Sequence, residues 1–404
     1  MKTDIHDKYK NTPQGREAES ILRSCVHCGF CTATCPTYQE LNDERDGPRG
    51  RIYLIKQLLE TDRVSEKTLT HLDRCLTCRS CETTCPSGVE YGHLLDIGRE
   101  IIEQKIDRPL NERVMRWGLR RVLPNEPLFS LLLKIGQTIR PILPDTMREK
   151  VPPKQDRPVW PIPKHPRRMI ALKGCVQGAA TPETNAAAAR VLDRLGITLQ
   201  EIAGAGCCGA VNYHLADSGT AKKHVRHNID AWWPHVEAGV EALVMTASGC
   251  GVMVKDYGYI LKDDAEYADK ASRISAMTYD LSEILAHEDI SALKVKSVEK
   301  VAVHCPCTLQ HGQKLPQALE DVFNRLGVSL AKTRDKHLCC GSAGTYSILQ
   351  PEMSQKLLDN KLTALSVDSP DVIATANIGC QLHLASKSDV PVRHWIELVD
   401  HFMS

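Results

Sequence analysis

"CVHCGFCTATCP", Cys25 to Pro36, is followed fifty positions later by "CLTCRSCETTCP", Cys75 to Pro86. Both copies spell C-x2-C-x2-C-x3-C-P. No other feature constrains the fold of the 404-residue chain so strongly. Thiols set this closely either pair with one another or share something bound. Seventeen cysteines is an odd number, so internal disulfides do not account for all of them. The opening segment, "MKTDIHDKYKNTPQGREAES", is polar and charged, with no apolar centre and no small-residue cleavage site. No run reaches the apolar length of a spanning helix; the best is "FSLLLKIG". The expectation is a reducing, cytoplasmic setting in which the thiols bind metal or do redox chemistry. With 51 Lys and Arg against 50 Asp and Glu, no global basic field argues for a nucleic-acid partner.

Three cysteines at a spacing of three suit three irons of a cubane, and the proline turns the fourth cysteine away. In two-cluster ferredoxins that fourth cysteine ligates the other cluster. The two copies are therefore predicted to complete each other. Cys25, Cys28, Cys31 and Cys85 hold one [4Fe–4S] cluster, and Cys75, Cys78, Cys81 and Cys35 hold the second. The competing reading is a pair of zinc sites, but two C-x2-C pairs per ion would leave Cys31 and Cys81 idle. Between the copies, "GPRGRIYLIKQLLETD" sets Ile52, Ile55, Leu58 and Leu59 at helical spacing, and "EKTLTHLDRC" reads as a second short helix. The module is thus expected to be helical, with its ligands on loops. Arg49, Arg51, Arg74 and Arg79 fall near the ligands. They either raise a cluster potential or form solvated surface. His27 and His93 read as surface or packing histidines.

Residues 108–166 change character. From Arg108 to Lys150 there are nine Lys or Arg and four acids, interleaved with apolar residues. "RVMRWGLRRVL" either lies on an anionic membrane face with Trp117 towards lipid, or forms part of a helix pair packed on this chain or a partner. Helical spacing of Met, Leu and Trp favours packing. "VPPKQDRPVWPIPKHPRR" holds six prolines in eighteen residues and reads as an extended linker.

The other nine cysteines belong to an internal repeat. "IALKGCVQG" resembles "AVHCPCTLQHG", "VLDRLGITLQ" resembles "VFNRLGVSLA", "GCCGA" matches "LCCGS", and "ALVMTASGC" resembles "DVIATANIGC". Strands are expected at "RRMIALKG", "ITLQEI" and "EALVMTAS", then at "KVAVHC", "VSLAK" and "DVIATAN". Helices are expected at "NAAAARVLDRLG" and "PEMSQKLLDNKLTAL". Such alternation predicts parallel α/β sheets with the cysteines at strand ends, where open sheets place ligands. Cys175, Cys207, Cys208 and Cys250 should converge in one copy. Cys305, Cys307, Cys339, Cys340 and Cys380 should converge in the other. Each set forms a redox site, an iron–sulfur or other metal site, or buried structural thiols. "GAGCCG" with Asp230 downstream fits a dinucleotide fingerprint, but the second copy keeps only "CCG", so the cysteine pair is the shared feature.

Two ferredoxin motifs followed by two CCG units resemble the iron–sulfur subunits of flavin-linked dehydrogenases for glycolate, lactate and glycerol 3-phosphate. They also resemble the heterodisulfide reductase catalytic subunits. "ESILRSCVHCGFCTATCPTYQ", "DGPRGRIYLIKQLLE" and "HLDRCLTCRSCETTCPSGVEYG" look most like the glycolate oxidase (glycolate dehydrogenase) iron–sulfur subunit family. That resemblance implies an electron-transfer subunit with two [4Fe–4S] clusters. It implies an FAD-containing partner that oxidises glycolate to glyoxylate, electrons passing towards quinone, and a peripheral place at the inner membrane. No catalytic residue for substrate oxidation is then expected in this chain. D-lactate or glycerol 3-phosphate as substrate, heterodisulfide-like thiol chemistry, and a redox sensor are the competing readings. The heterodisulfide pattern ends each unit in C-x-x-C, whereas here Met253 and His383 stand in the last positions. Cys305 is a candidate replacement in the second unit, and His383 is either a ligand or a bystander. The expected architecture is a helical two-cluster ferredoxin domain at 1–107, a basic helical and proline-rich segment at 108–166, and α/β CCG repeats at 167–290 and 291–404.

Overall fold

The computed structural model describes residues 1–144, 148, 151–296 and 298–403. Of the basic run, Asp145, Glu149 and Lys150 lie outside the described residues.

Residues 1–107 are helical. The helix Pro48–Thr61 starts on proline, whose fixed φ suits a first helical turn, and buries Ile52, Ile55, Leu58 and Leu59. The helix Tyr91–Glu103 packs against it through Leu94, Leu95, Ile101 and Ile102 in one apolar core. Glu66–Asp73 is the short helix expected before Cys75, capped by the Ser65 hydroxyl, which accepts from the Thr68 N–H.

The rest of the fold is two parallel sheets. The first runs β2 (Ile197–Glu201), β1 (Arg167–Ala171), β3 (Ala242–Met245), β4 (Thr278–Asp280), and the second runs β5 (Val301–His304), β6 (Val372–Thr375), β7 (Val392–His394). The helices Glu183–Arg194 and Pro351–Leu365 fall where the sequence places them. Each repeat closes with a strand that the sequence reading passed over, β4 and β7, only three residues long each. The strand expected at "VSLAK" shrinks to a single parallel bridge between Val301 and Leu330. The Asp368 carboxylate accepts the Lys332 N–H, so the pairing stops there.

The repeats are not separate bodies. One core draws Met169, Ala187, Leu192 and Val244 from the first repeat and Val303, Phe323, Trp395 and Val399 from the second. The helix Trp395–Phe402 lies on Glu183–Arg194, pinned by Arg190 to Asp400 at 2.6 Å.

Of the two packing partners expected for the helices Leu110–Val122 and Glu126–Ile139, this chain itself supplies little. The first buries only Arg116 and the second buries no residue. Leu133 does touch the first repeat beside Val176 and Cys250. Leu110, Val114 and Trp117 are exposed at 75%, 59% and 60%, and Leu131, Ile135 and Ile139 are also exposed. Residues 152–165 have no regular structure, as the prolines predict.

Candidate functional site: four sets of thiols

The two ferredoxin-type loops share one backbone conformation. His27 and Gly29 have positive φ in the first copy, and Thr77 and Arg79 in the second. This left-handed turning wraps each run of three cysteines around a hollow. At Gly29 a Cβ would stand 2.9 Å from Arg49, so glycine suits the site. Arg79 takes up the strained conformation with its side chain anchored 2.7 Å from Asp256 of the first repeat.

Cys25, Cys28, Cys31 and Cys85 line one hollow, together with Pro48, Ile52 and Tyr91. Cys35, Cys75, Cys78 and Cys81 line a second, with Thr37, Arg51 and Tyr91. The remote fourth cysteine has crossed over in both cases, and Pro48, Cys81 and Tyr91 border both hollows. Burial pushes the Cys31 thiol up to about 11 and the Cys78 and Cys81 thiols up as well. Cations taken up there must displace those protons. Clustered thiols that are all free and line a shared hollow fit bound clusters.

The four arginines are not solvated surface as a group. Arg51 is 1% exposed; it donates through Nε to the His71 carbonyl at 2.7 Å and through Nη2 to the Thr37 hydroxyl at 3.1 Å. Asp46, fully buried, pairs with Arg51, His71 and Arg74. The Tyr91 hydroxyl donates to Cys75 Sγ at 3.5 Å, and the Thr37 hydroxyl lies 3.4 Å from Cys35 Sγ. A fixed cation and two hydroxyls therefore surround the second thiol set. Arg49 pairs with Glu44 near the first set. His27 borders the first hollow, with its Nε2 3.1 Å from Met1 Sδ, and His93 stacks on Tyr259 with ring centres 3.8 Å apart, away from both hollows.

In the first repeat Cys175, Cys207, Cys208 and Cys250 converge, each thiol close enough to act on the next. Met253, 3% exposed, packs in the same core as Cys208. In the second repeat Cys307 and Cys339 have their sulfurs 3.9 Å apart, and Cys340 contacts both Cys339 and Cys380. Cys305 does not join as expected: its thiol donates to the Leu315 carbonyl at 3.7 Å and packs on the core shared by the repeats. His383 is tied through Nε2 to the Ser354 hydroxyl, which itself donates to the Gly341 carbonyl. A histidine the sequence reading did not single out, His304, lies against Cys340 and Cys380. Its position directly before "CPC" at a strand end was the available signal.

The second ferredoxin loop and the second repeat meet at the thiols. Leu76, Cys78, Cys307, Cys339 and Tyr346 form one small core. The Tyr346 hydroxyl donates to the Arg74 carbonyl, and the Thr83 hydroxyl meets His311 Nδ1 at 2.9 Å.

The chain matches the 4Fe–4S dicluster domain family over residues 21–89 and the cysteine-rich domain family over residues 170–255 and 301–385. It is 55% identical to the "Glycolate oxidase iron-sulfur subunit" of Escherichia coli over 99% of this chain and 98% of that one. It is 31% identical to the "Probable glycolate oxidase iron-sulfur subunit" of Bacillus subtilis over 93% of this chain and 91% of that one. A crystal structure of a hypothetical protein from Helicobacter pylori superposes with a TM-score of 0.56 at 10% identity, covering 98% of this chain and 74% of that one, which speaks for the fold alone.

Arg51→Met should destabilise the protein by about 3 kcal/mol, because it strips a cation from a buried ion network. Denaturant unfolding of the purified protein measures the loss, and a change under about 1 kcal/mol would show the network contributes little.

Proposed function

This chain belongs to the family of glycolate oxidase iron–sulfur subunits, and from that premise we propose how its thiols serve electron transfer. It is an electron-transfer subunit of an oxidoreductase. On our reading Cys25, Cys28, Cys31 and Cys85 hold one [4Fe–4S] cluster and Cys35, Cys75, Cys78 and Cys81 hold the other. Bound there, the clusters supply one-electron carriers. The crossing-over of Cys35 and Cys85 is the observation that carries this reading. Residues 1–107 then form the carrier domain, 108–166 a connecting segment, and 167–290 and 291–404 the two repeats.

The protein's own groups do the rest. Arg51 places a buried positive charge beside the second site, which favours its reduced state. Cys81 and Tyr91 border both sites, so with clusters bound these side chains would form the protein wall between two one-electron carriers. The packing of Cys78 against Cys307 and Cys339 makes the second repeat the next contact on the route. Hydride removal from a 2-hydroxy acid needs a flavin, and we assign it to an FAD-bearing partner subunit acting on glycolate, with quinone as final acceptor.

The exposed helix pair suits the membrane periphery. Leu110, Val114 and Trp117 stand at i, i+4 and i+7, and Leu128, Leu131, Leu132, Ile135 and Ile139 continue an apolar stripe on the second helix. Arg113, Arg121 and Lys134 are exposed beside them. Among the described residues no helix is long and apolar enough to cross a membrane. An apolar stripe flanked by cations lies in an anionic interface rather than through it.

The functional reading is tested on the complex purified anaerobically with its native partners. Glycolate should bring up the electron paramagnetic resonance signals of reduced clusters, while D-lactate and glycerol 3-phosphate should not. Reduction by one of those donors alone moves the substrate and keeps the carrier role. The membrane reading predicts sedimentation with vesicles containing anionic lipid, weakened at least tenfold in a Trp117→Glu, Ile135→Glu double variant. Unchanged sedimentation, or a variant that instead loses its partner subunit, would assign the stripe to protein contact.

A further inference from the structure

The two repeats are alike in their cysteines and unlike one step before them. At the repeat offset of 132 positions, Leu172 of the first copy stands where the second has His304. Leu172 is buried among apolar side chains. His304, at the end of β5, is 1% exposed, and nothing apolar about the position calls for an imidazole. The Thr375 hydroxyl on the neighbouring strand lies 2.9 Å from its Nδ1. Nε2 is buried and has no hydrogen-bond partner. Buried ring nitrogens are rarely left so.

One ring nitrogen of His304 and the sulfurs of Cys340 and Cys380 all lie within 4.8 Å of one another. Cys340 and Cys380 are themselves 1% and 4% exposed. Among the described residues only one other group of three His, Cys or acidic donors gathers as tightly, Asp43, Asp46 and His71, and there Arg51 and Arg74 already supply the positive charge. Neither ferredoxin-type set nor the thiols of the first repeat close up in this way. The difference in spacing has chemical content. A tetrahedral ion with sulfur at about 2.3 Å and nitrogen at about 2.0 Å holds its donors roughly 3.5–3.8 Å apart, whereas a cubane spreads its ligands over separate irons.

We propose that the second repeat binds a single divalent ion, zinc or iron(II), through His304 Nε2, Cys340 and Cys380, with Cys339 as fourth donor. Cys339 directly precedes Cys340 on the same loop and is likewise buried, at 3% exposed. The Thr375 hydroxyl acts behind the imidazole, holding the ring orientation through Nδ1, as outer partners of metal-bound histidines do. The Asn377 amide donates to Cys380 Sγ at 3.5 Å and does the same for that thiolate. Cys307 stays outside the ion, facing Cys78. The first repeat, with four thiols and leucine in place of histidine, lacks this nitrogen donor. The inference is independent of which substrate the complex oxidises.

The test is metal analysis and X-ray absorption on the full-length protein purified anaerobically, alongside His304→Leu, which installs the residue of the first repeat, and His304→Cys. The wild type should carry one ion beyond the cluster iron, with both nitrogen and sulfur in its first shell. His304→Leu should bind that ion at least tenfold more weakly and keep the resonance signals of the ferredoxin clusters. His304→Cys should retain the ion with sulfur neighbours only, which keeps the idea testable if the leucine variant fails to fold. A zinc or an iron absorption edge tells the two candidate ions apart. Metal content and nitrogen scattering unchanged in His304→Leu would overturn the proposal. So would acid-labile sulfide showing a further multi-iron cluster on Cys307, Cys339, Cys340 and Cys380.

Discussion

Neither cysteine run can close a four-sulfur set with its own residues, and the folded chain brings each run's last cysteine to the other. Cys85 reaches the hollow of Cys25, Cys28 and Cys31, and Cys35 reaches that of Cys75, Cys78 and Cys81. The helices Pro48–Thr61 and Tyr91–Glu103 must pack closely for both crossings to occur together. The same crossing brings the two hollows against a shared wall. In this arrangement, ligand chemistry and helix packing enforce one another.

The buried charge around the second site follows from that closeness. Arg51 has no route to water and is held by the His71 carbonyl, Thr37 and Asp46. Without these partners a cation in that position would cost several kcal/mol. The strained backbone at Arg79 is likewise tied down, by Asp256 on the first repeat. The first restraint lies within the ferredoxin part, whereas the second reaches the first repeat, so the ferredoxin part docks on the repeats through the very loop that carries Cys75, Cys78 and Cys81. The small core of Leu76, Cys78, Cys339 and Tyr346 completes the seam.

Much of this was legible in the residues. Cysteine spacing foretold which thiols meet, because a spacing of three and a following proline fix local direction. The internal repeat and its strand ends foretold where the other thiols gather. What the sequence hid was environment. Arg51 and Arg79 read equally well as surface, since burial depends on partners twenty to nearly two hundred positions away. Cys305 looked like a member of its set, but one residue along a strand end turns a side chain to the other side, and its thiol points to Leu315. His304 gains its meaning only from the neighbouring strand, which brings Thr375 beside it. The helix pair at 110–139 has the apolar spacing of a packed element, and pattern alone does not say whether the partner is this chain's core or something outside it.

The central claim is that the two cysteine runs exchange their fourth ligand. Cys35→Ser tests it most directly, read by electron paramagnetic resonance of the reduced, anaerobically prepared protein. The account predicts that the signal of the cluster held by Cys75, Cys78 and Cys81 is lost or altered while the cluster of Cys25, Cys28 and Cys31 keeps its spectrum. Loss confined to the cluster of Cys25, Cys28 and Cys31 would contradict it.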